Sequence, residues 1–370
     1  MKLQKSILIS GYYGFDNSGD DAILKAIVKD IRSKNSQVNI TVLSKNPEKT
    51  ERMYGVKAVD RFNFRDVFAA IRSTDLFISG GGSLLQDVTS TRSLAYYLAI
   101  MKLTKILGKP VMVYANGIGP IERKFNRILA KSILNKVDLI TLRDEKSMEY
   151  VRDLGIKNKN TFVTADPVFT LEAVSDDRVE KILDIECIPK DKKMIGVSIR
   201  QWKRSKDLVA ILVKAIDYMI EKYDVNIILV PMHYPEDLNI SKEIKSLTQS
   251  DCYVIEEQYS VEEIMGVINR FEIIIAMRLH SLIYAATQEV PMVGLSYDPK
   301  VDGILKSLGM RDIWNVEDFT AEDLIKSIDA VMDNRESLRE RLRAQDVELK
   351  GKALSNVKMA LELLEKQVKQ

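Results

Sequence analysis

With 370 residues, 46% of them hydrophobic and 29% charged, the chain has the composition of a soluble globular protein with room for two domains, which excludes a disordered or fibrous class. Fifty-five Lys and Arg against 53 Asp and Glu leave a formal charge of +2, so no global field recruits nucleic acid, and a bound anion has to be met locally. The two cysteines, Cys187 and Cys252, stand far apart outside any CxxC or Cys/His cluster. That pattern argues against a disulfide framework or a zinc site and suits a reducing cytoplasm.

The N-terminal "MKLQKSILISGYYG" is interrupted by glycine and polar residues too early for a secretory signal and reads as a first strand. No apolar run approaches the roughly 20 residues a membrane-spanning helix needs, which leaves peripheral attachment open. From there, β-branched runs alternate with helix-period segments: "SILIS", "VNITVLS", "DLFISG", "VMVYANG", "LITLRD" and "TFVTADP". This is the rhythm of βαβ units around a parallel sheet. After a polar stretch a second series follows, "MIGVSIR", "VNIILVPM", "CYVIEE", "EIIIAM" and "PMVGLSYD", predicting a second α/β domain. From about Val316 onward strand signals stop and i,i+4 charge pairs predict closing helices, which either pack back or offer a basic amphipathic face to a membrane or partner. Interleaved acidic residues favour packing.

Ligands of doubly wound sheets sit beyond the carboxyl ends of the strands, so the strand tips are where chemistry is expected. Gly11, Gly14 and Gly19 lead into a helix start in the spacing GxxGxxxxG, which is neither the dinucleotide GxGxxG nor a P-loop. Asp20 or Asp21 is expected to cap that helix, whereas Asp16 and Asn17 lie within the loop itself. "FISGGGSLLQD" repeats the pattern: Gly80, Gly81 and Gly82 invite close approach of a backbone or ligand, and Ser83 is expected to cap a following helix. Gln86 and Asp87, one turn on, are placed to bind a sugar hydroxyl, and Asn116 in "YANGIGP" supplies a third polar tip.

In the second half, "EIIIAMRLHSLIYAA" delivers Arg278 and His280 to a strand end just before a helix. A guanidinium, an imidazole and a helix N-terminus there would converge on one anion, with Arg200 of "VSIR" in reach of the same crevice. The bland alternative pairs Arg278 with Glu256 or Glu257 and makes His280 a packed helix-start residue. Both histidines of the chain, His233 and His280, fall at strand tips of this half, where imidazole suits proton transfer near neutral pH. GxSxG, HExxH and other metal spacings are absent from the sequence.

"GYYGFDNSGDDAIL", "SGGGSLLQD", "YANGIGPI", "RDEKS", "VPMHYPED", "MRLHSLIYA" and "GLSYDPK", in that order, resemble the polysaccharide pyruvyl transferase family, most closely its CsaB type. The resemblance runs from about Ile7 to about Lys300, with Asp21 standing where Glu is usual. It implies two Rossmann-like domains facing a cleft, similar to GT-B glycosyltransferases, with C-terminal helices packing back over the junction: an acceptor-binding domain over 1–170, a phosphoenolpyruvate-binding domain over 171–335, and closing helices over 336–370. It implies transfer of pyruvate from phosphoenolpyruvate as a ketal onto two sugar hydroxyls, with phosphate released and neither metal nor further cofactor. For the CsaB type the acceptor is a β-N-acetylmannosamine, bridged at O4 and O6, on a lipid-linked secondary cell-wall polymer precursor. The product is a sugar that S-layer homology domains recognise, and the enzyme is cytoplasmic, at the inner membrane face.

The family's phosphoenolpyruvate contacts carry over to Arg200, Arg278, Leu279 and His280. Expected acceptor contacts are Asn17, Gly81, Gly82, Ser83, Gln86, Asn116 and His233, with His280 as phosphate contact or general acid and Asp16 as base. Two rival readings are a GT-B glycosyltransferase using a nucleotide sugar and a non-catalytic sugar- or phosphate-binding protein.

Overall fold

A computed structural model describes residues 4–88, 90–202, 207–310 and 313–366. The last four residues of the expected closing helices, 367–370, lie outside the described residues. The chain divides into two units, 1–170 with 349–370, and 171–348.

The first unit runs β1 (Ser6–Ser10), α1 (Ser18–Lys34), β2 (Asn39–Ser44), α2 (Pro47–Tyr54), β3 (Lys57–Asp60), α3 (Phe64–Ser73), β4 (Leu76–Ser79), β5 (Gly82–Leu85), α4 (Thr91–Ile106), β6 (Val111–Ile118), α5 (Lys124–Leu134), β7 (Leu139–Leu142), α6 (Glu145–Asp153) and β8 (Thr161–Val163). Its strands are all parallel in the order β3-β2-β1-β4-β6-β7-β8, with β5 paired to β6 beside this path. Strands covered by helices on both faces must be apolar throughout, which is why Ile7, Leu8 and Ile9 of β1 and all of β4 are buried.

The second unit runs α7 (Asp176–Ile185), β9 (Met194–Ser198), α8 (Leu208–Tyr223), β10 (Asn226–Leu229), α9 (Glu236–Leu247), β11 (Tyr253–Val254), α10 (Val261–Ile268), β12 (Phe271–Ala276), α11 (Leu279–Thr287), β13 (Met292–Ser296), α12 (Pro299–Ser307), β14 (Ile313–Asn315) and α13 (Ala321–Asp333). The order β11-β10-β9-β12-β13-β14 reverses direction between β9 and β12, as the first sheet does between β1 and β4. These reversals are the topological switch points at which a doubly wound sheet opens a crevice.

α14 (Arg335–Lys366) begins in the second unit and ends in the first. Within the first, Ala353, Val357, Ala360 and Leu364 form a buried stripe at helical spacing, and Asn356 accepts from the Thr164 hydroxyl at 2.8 Å while donating to the Ala165 carbonyl. Packing, rather than presentation of an apolar face, is therefore what this segment does.

The sequence reading missed β3 and β14, which are too short to show periodicity, and took the segment after Gly82 for a helix where the chain forms β5. The glycine triplet serves the chain's own packing. A Cβ at Gly80 would lie 2.2 Å from the Tyr13 hydroxyl, and one at Gly81 would lie 2.9 Å from Ile23 of α1. Tyr13 is itself buried and has no room to retreat. Gly80→Ala should therefore cost about 1–3 kcal/mol of stability through overpacking, measured by denaturant unfolding, whereas Gly108→Ala, whose Cβ meets nothing, should cost only the strain of its positive φ.

Candidate functional site

In the second unit the switch point is built by three short-range devices. Ala276 of β12 pairs with Ser198 of β9, and the Met277 amide donates to the Ser198 carbonyl at 2.8 Å. The Ser198 hydroxyl donates to the Val230 carbonyl at 2.9 Å and lies 2.7 Å from the buried Ser281 hydroxyl, so Ser281 is the donor of that pair and pins the start of α11 to the end of β9. Arg200 and Arg278 thus emerge two residues beyond paired positions on adjacent strands.

Arg278 is the N-cap of α11, but its side chain does not cap the helix. The Nε donates to Asp237 Oδ2 at 2.9 Å and Nη2 to Oδ1. Asp237, in the first turn of α9, is fully buried and accepts also from the Met232 and His233 amides. The expected alternative partners, Glu256 and Glu257, are not the ones used: Glu256 pairs with Lys242 at 2.6 Å. The physical reason is burial, since a carboxylate withdrawn from water needs the cation more than two exposed ones do.

Arg200 is held differently. Its guanidinium lies 4.9 Å from the centroid of the Tyr297 ring and 5.8 Å from that of Trp202, and it donates to the Tyr297 hydroxyl at 3.3 Å. No carboxylate pairs with it among the described residues, and its buried Nε has no hydrogen-bond partner among them. Aromatic faces orient a guanidinium without neutralising it. Leu279 and His280 occupy the first helical positions of α11, where backbone amides face outward at the positive end of the helix dipole. At that position Leu279 offers its backbone N–H rather than its side chain. His233 approaches Glu236 at 3.1 Å in the turn that leads to Asp237.

The first unit's switch point carries a different chemistry. Asn17, not Asp20 or Asp21, caps α1, its Oδ1 accepting from the Gly19 and Asp20 amides. Asp16 adopts a left-handed φ of 58° and forms an exposed ion pair with Lys49 at 2.6 Å. The loop around it is braced by Arg61, which donates to the Gly11 carbonyl at 2.7 Å and packs over the Tyr96 ring. Ser83 caps nothing: it lies on β5 and accepts from Arg143 Nη2 at 3.0 Å. Asn116 is fully buried and donates to the Gly80 carbonyl at 2.8 Å, while its Oδ1 has no hydrogen-bond partner among the described residues. Asp87 is structural, accepting from the Glu122 and Arg123 amides and from Asn126. Gln86 sits half-buried just past β5.

Asp20, read from the sequence only as a cap, is the unusual group here. It is half-buried beside Gly82, whose Cβ would come within 3.3 Å of its Oδ1. Desolvation, then the neighbouring Asp21 carboxylate, push its pKa up to about 8 against the pull of Arg143 and Arg61. The buried Arg143 bridges to Asp166 at 3.5 Å and to Ser83, closing a polar cluster at the sheet's carboxyl edge. A carboxyl that holds its proton at neutral pH is equipped to give it away or, once ionised, to take one.

A profile of the polysaccharide pyruvyl transferase family matches residues 17–299. The amylovoran biosynthesis protein AmsJ of Erwinia amylovora is 22% identical over 91% of this chain and 94% of its own. Among solved structures, HepE of Anabaena in complex with UDP-glucose superposes with a TM-score of 0.67 at 11% identity, covering 98% of this chain and 99% of that one. A glycosyltransferase from Rickettsia africae gives 0.66 at 13% identity, covering 98% and 99%. A Listeria monocytogenes protein described as a UDP-N-acetylglucosamine 2-epimerase gives 0.66 at 12%, covering 95% and 94%. These structural likenesses show the fold alone: two Rossmann-like domains of the GT-B kind.

The raised pKa of Asp20 has a consequence for stability. A proton held more tightly in the folded state stabilises it fully below the unfolded carboxyl's pKa, and that contribution is lost as pH rises through the folded value. Relative to Asp20→Asn, the wild type's thermal unfolding midpoint should therefore decline as pH rises between about pH 4 and about pH 8. Equal slopes for the two proteins would show that Asp20 ionises normally.

Proposed function

The chain belongs to the polysaccharide pyruvyl transferase family, and from that premise we propose that it forms a pyruvate ketal on a sugar with phosphoenolpyruvate as donor. The observation that carries this reading is the β9/β12 switch point, where an unneutralised Arg200, an Asp237-braced Arg278 and the start of α11 gather on one sheet edge. A donor with a phosphate and a carboxylate suits two guanidiniums and a set of helix amides.

The balance of the reaction sets the roles. Protonation of the donor's methylene carbon makes it a methyl group and leaves an oxocarbenium-like centre. One sugar hydroxyl attacks that centre, the C–O bond to phosphate breaks, and the second hydroxyl closes the ketal. Of the two hydroxyl protons, one replaces the proton taken up by carbon and one leaves with phosphate. Arg200 and Arg278 hold the anionic groups and stabilise the departing phosphate. His280 is assigned to phosphate contact or to general acid catalysis, and His233, in the turn that feeds Asp237, to the acceptor. Asp20 replaces Asp16 as the acid–base candidate of the first unit, because Asp16 is exposed and already paired with Lys49. Phosphoenolpyruvate brings its own leaving group, so the proposal requires no further cofactor. We assign the acceptor to a β-N-acetylmannosaminyl residue of a lipid-linked precursor, ketalised at O4 and O6, on the strength of the motifs shared with the CsaB type.

Phosphate release from phosphoenolpyruvate, followed with and without a synthetic lipid-linked N-acetylmannosamine disaccharide, tests the reading. Release should depend on the acceptor and fall by about 10²-fold or more in Arg200→Gln, since a cation acting on a departing phosphate contributes on that scale. Acceptor-dependent release that is unchanged in Arg200→Gln would remove the β9/β12 edge from the reaction.

A further inference from the structure

Between residues 88 and 137 the chain carries nine Lys and Arg against one acid, Glu122; Lys105 is paired with Asp138 just beyond, and four of the cations, Arg123, Lys124, Arg127 and Lys131, stand at the start of α5 or along it. The same stretch exposes large apolar side chains that a soluble surface does not need: Val88 at 58%, Phe125 at 74% and Ile128 at 69%. Scattered apolar residues are ordinary, but these share a place. Phe125 and Ile128 stand three apart on α5, on the side opposite its buried Asn126, Ala130 and Ile133. Exposed Lys124 and Lys131 flank them on the same helix. Val88 follows Asp87, whose carboxylate accepts from the Glu122 amide at 2.7 Å, the Arg123 amide at 3.2 Å and Asn126 at 2.7 Å, so the start of α5 is fastened beside it. Because α5 follows the end of β6, its start lies on the carboxyl edge of the first unit's sheet, the edge that carries Asn17 and Asp20.

We propose that this face, the start of α5 with Val88, docks the first unit onto an anionic lipid bilayer. An apolar tip flanked by Arg123, Lys124, Arg127 and Lys131, which outnumber the single exposed acid Glu122, is the chemistry that partitions into a headgroup layer and is attracted to anionic lipid. The charge pattern selects that occupant over a second copy of this chain, whose matching face would set Arg123, Lys124, Arg127 and Lys131 against the same four cations. α14, the other segment with basic character, buries its apolar stripe and is not the contact. The surface goes beyond pyruvyl transfer and stands whether or not that reading does.

Co-sedimentation of the full chain with phosphatidylcholine vesicles, with and without phosphatidylglycerol, tests the proposal directly. The wild type should bind only the phosphatidylglycerol vesicles, less at raised salt. The double variants Phe125→Ser/Ile128→Ser and Lys124→Glu/Lys131→Glu should each bind about tenfold less, while their circular dichroism spectra stay those of the wild type. Phosphate release with a soluble acceptor, measured on the same variants, should be unchanged, so a failed membrane surface and a failed pyruvyl-transfer reading are told apart. Absence of wild-type binding to phosphatidylglycerol vesicles, equal binding by the variants, or a wild-type dimer that Phe125→Ser/Ile128→Ser dissociates in the absence of lipid would each overturn the proposal.

Discussion

A carboxylate closed off from water has to find a cation, and in the second unit the site depends on that constraint. Asp237 is fully buried and meets Arg278 through two donors while binding the amides of Met232 and His233. The pair fixes the guanidinium at the end of β12 and locks the turn between β10 and α9 against it. Removing one partner of such a pair costs on the order of 3–5 kcal/mol, so the geometry is held by stability. Arg278 reaches the strand end already paired with Asp237, whereas Arg200 is positioned by aromatic rings and has no carboxylate partner among the described residues.

The first unit solves a different problem at the equivalent place. Its glycines admit Tyr13, Ile23 and Asp20 of its own chain. Burial and the Asp21 carboxylate raise the pKa of Asp20, while Arg143 and Asp166 close the cluster from β7 and the segment beyond β8. One switch point thus gathers positive charge suited to a donor anion, and the other holds a carboxyl suited to hydroxyl chemistry. The cationic start of α5 lies on that same edge.

Much of this was legible in the sequence because parallel strands buried on both faces must be apolar, which leaves their tips as the places for polar residues. Arg200, Arg278, Leu279 and His280 fall where that rule puts them. What escaped is non-local. Asp237 and Arg278 are 41 positions apart, and nothing in "HYPED" marks its Asp as the buried one. Asp20 looks like a helix cap until α1 packs against Gly82 and Arg143 arrives from β7. Ser83 looked like a cap because "GGSLL" has the composition of a strand-to-helix turn, whereas pairing with β6 makes it β5. Short strands such as β3 and β14 owe their form to neighbours rather than to their own residues.

The central claim is that the β9/β12 edge is built for phosphoenolpyruvate, and calorimetric titration of the full chain with phosphoenolpyruvate and, separately, with UDP tests it most directly. The account predicts saturable phosphoenolpyruvate binding that inorganic phosphate competes away and UDP does not. Saturable UDP binding with no heat from phosphoenolpyruvate would contradict it and assign the edge to a nucleotide diphosphate instead.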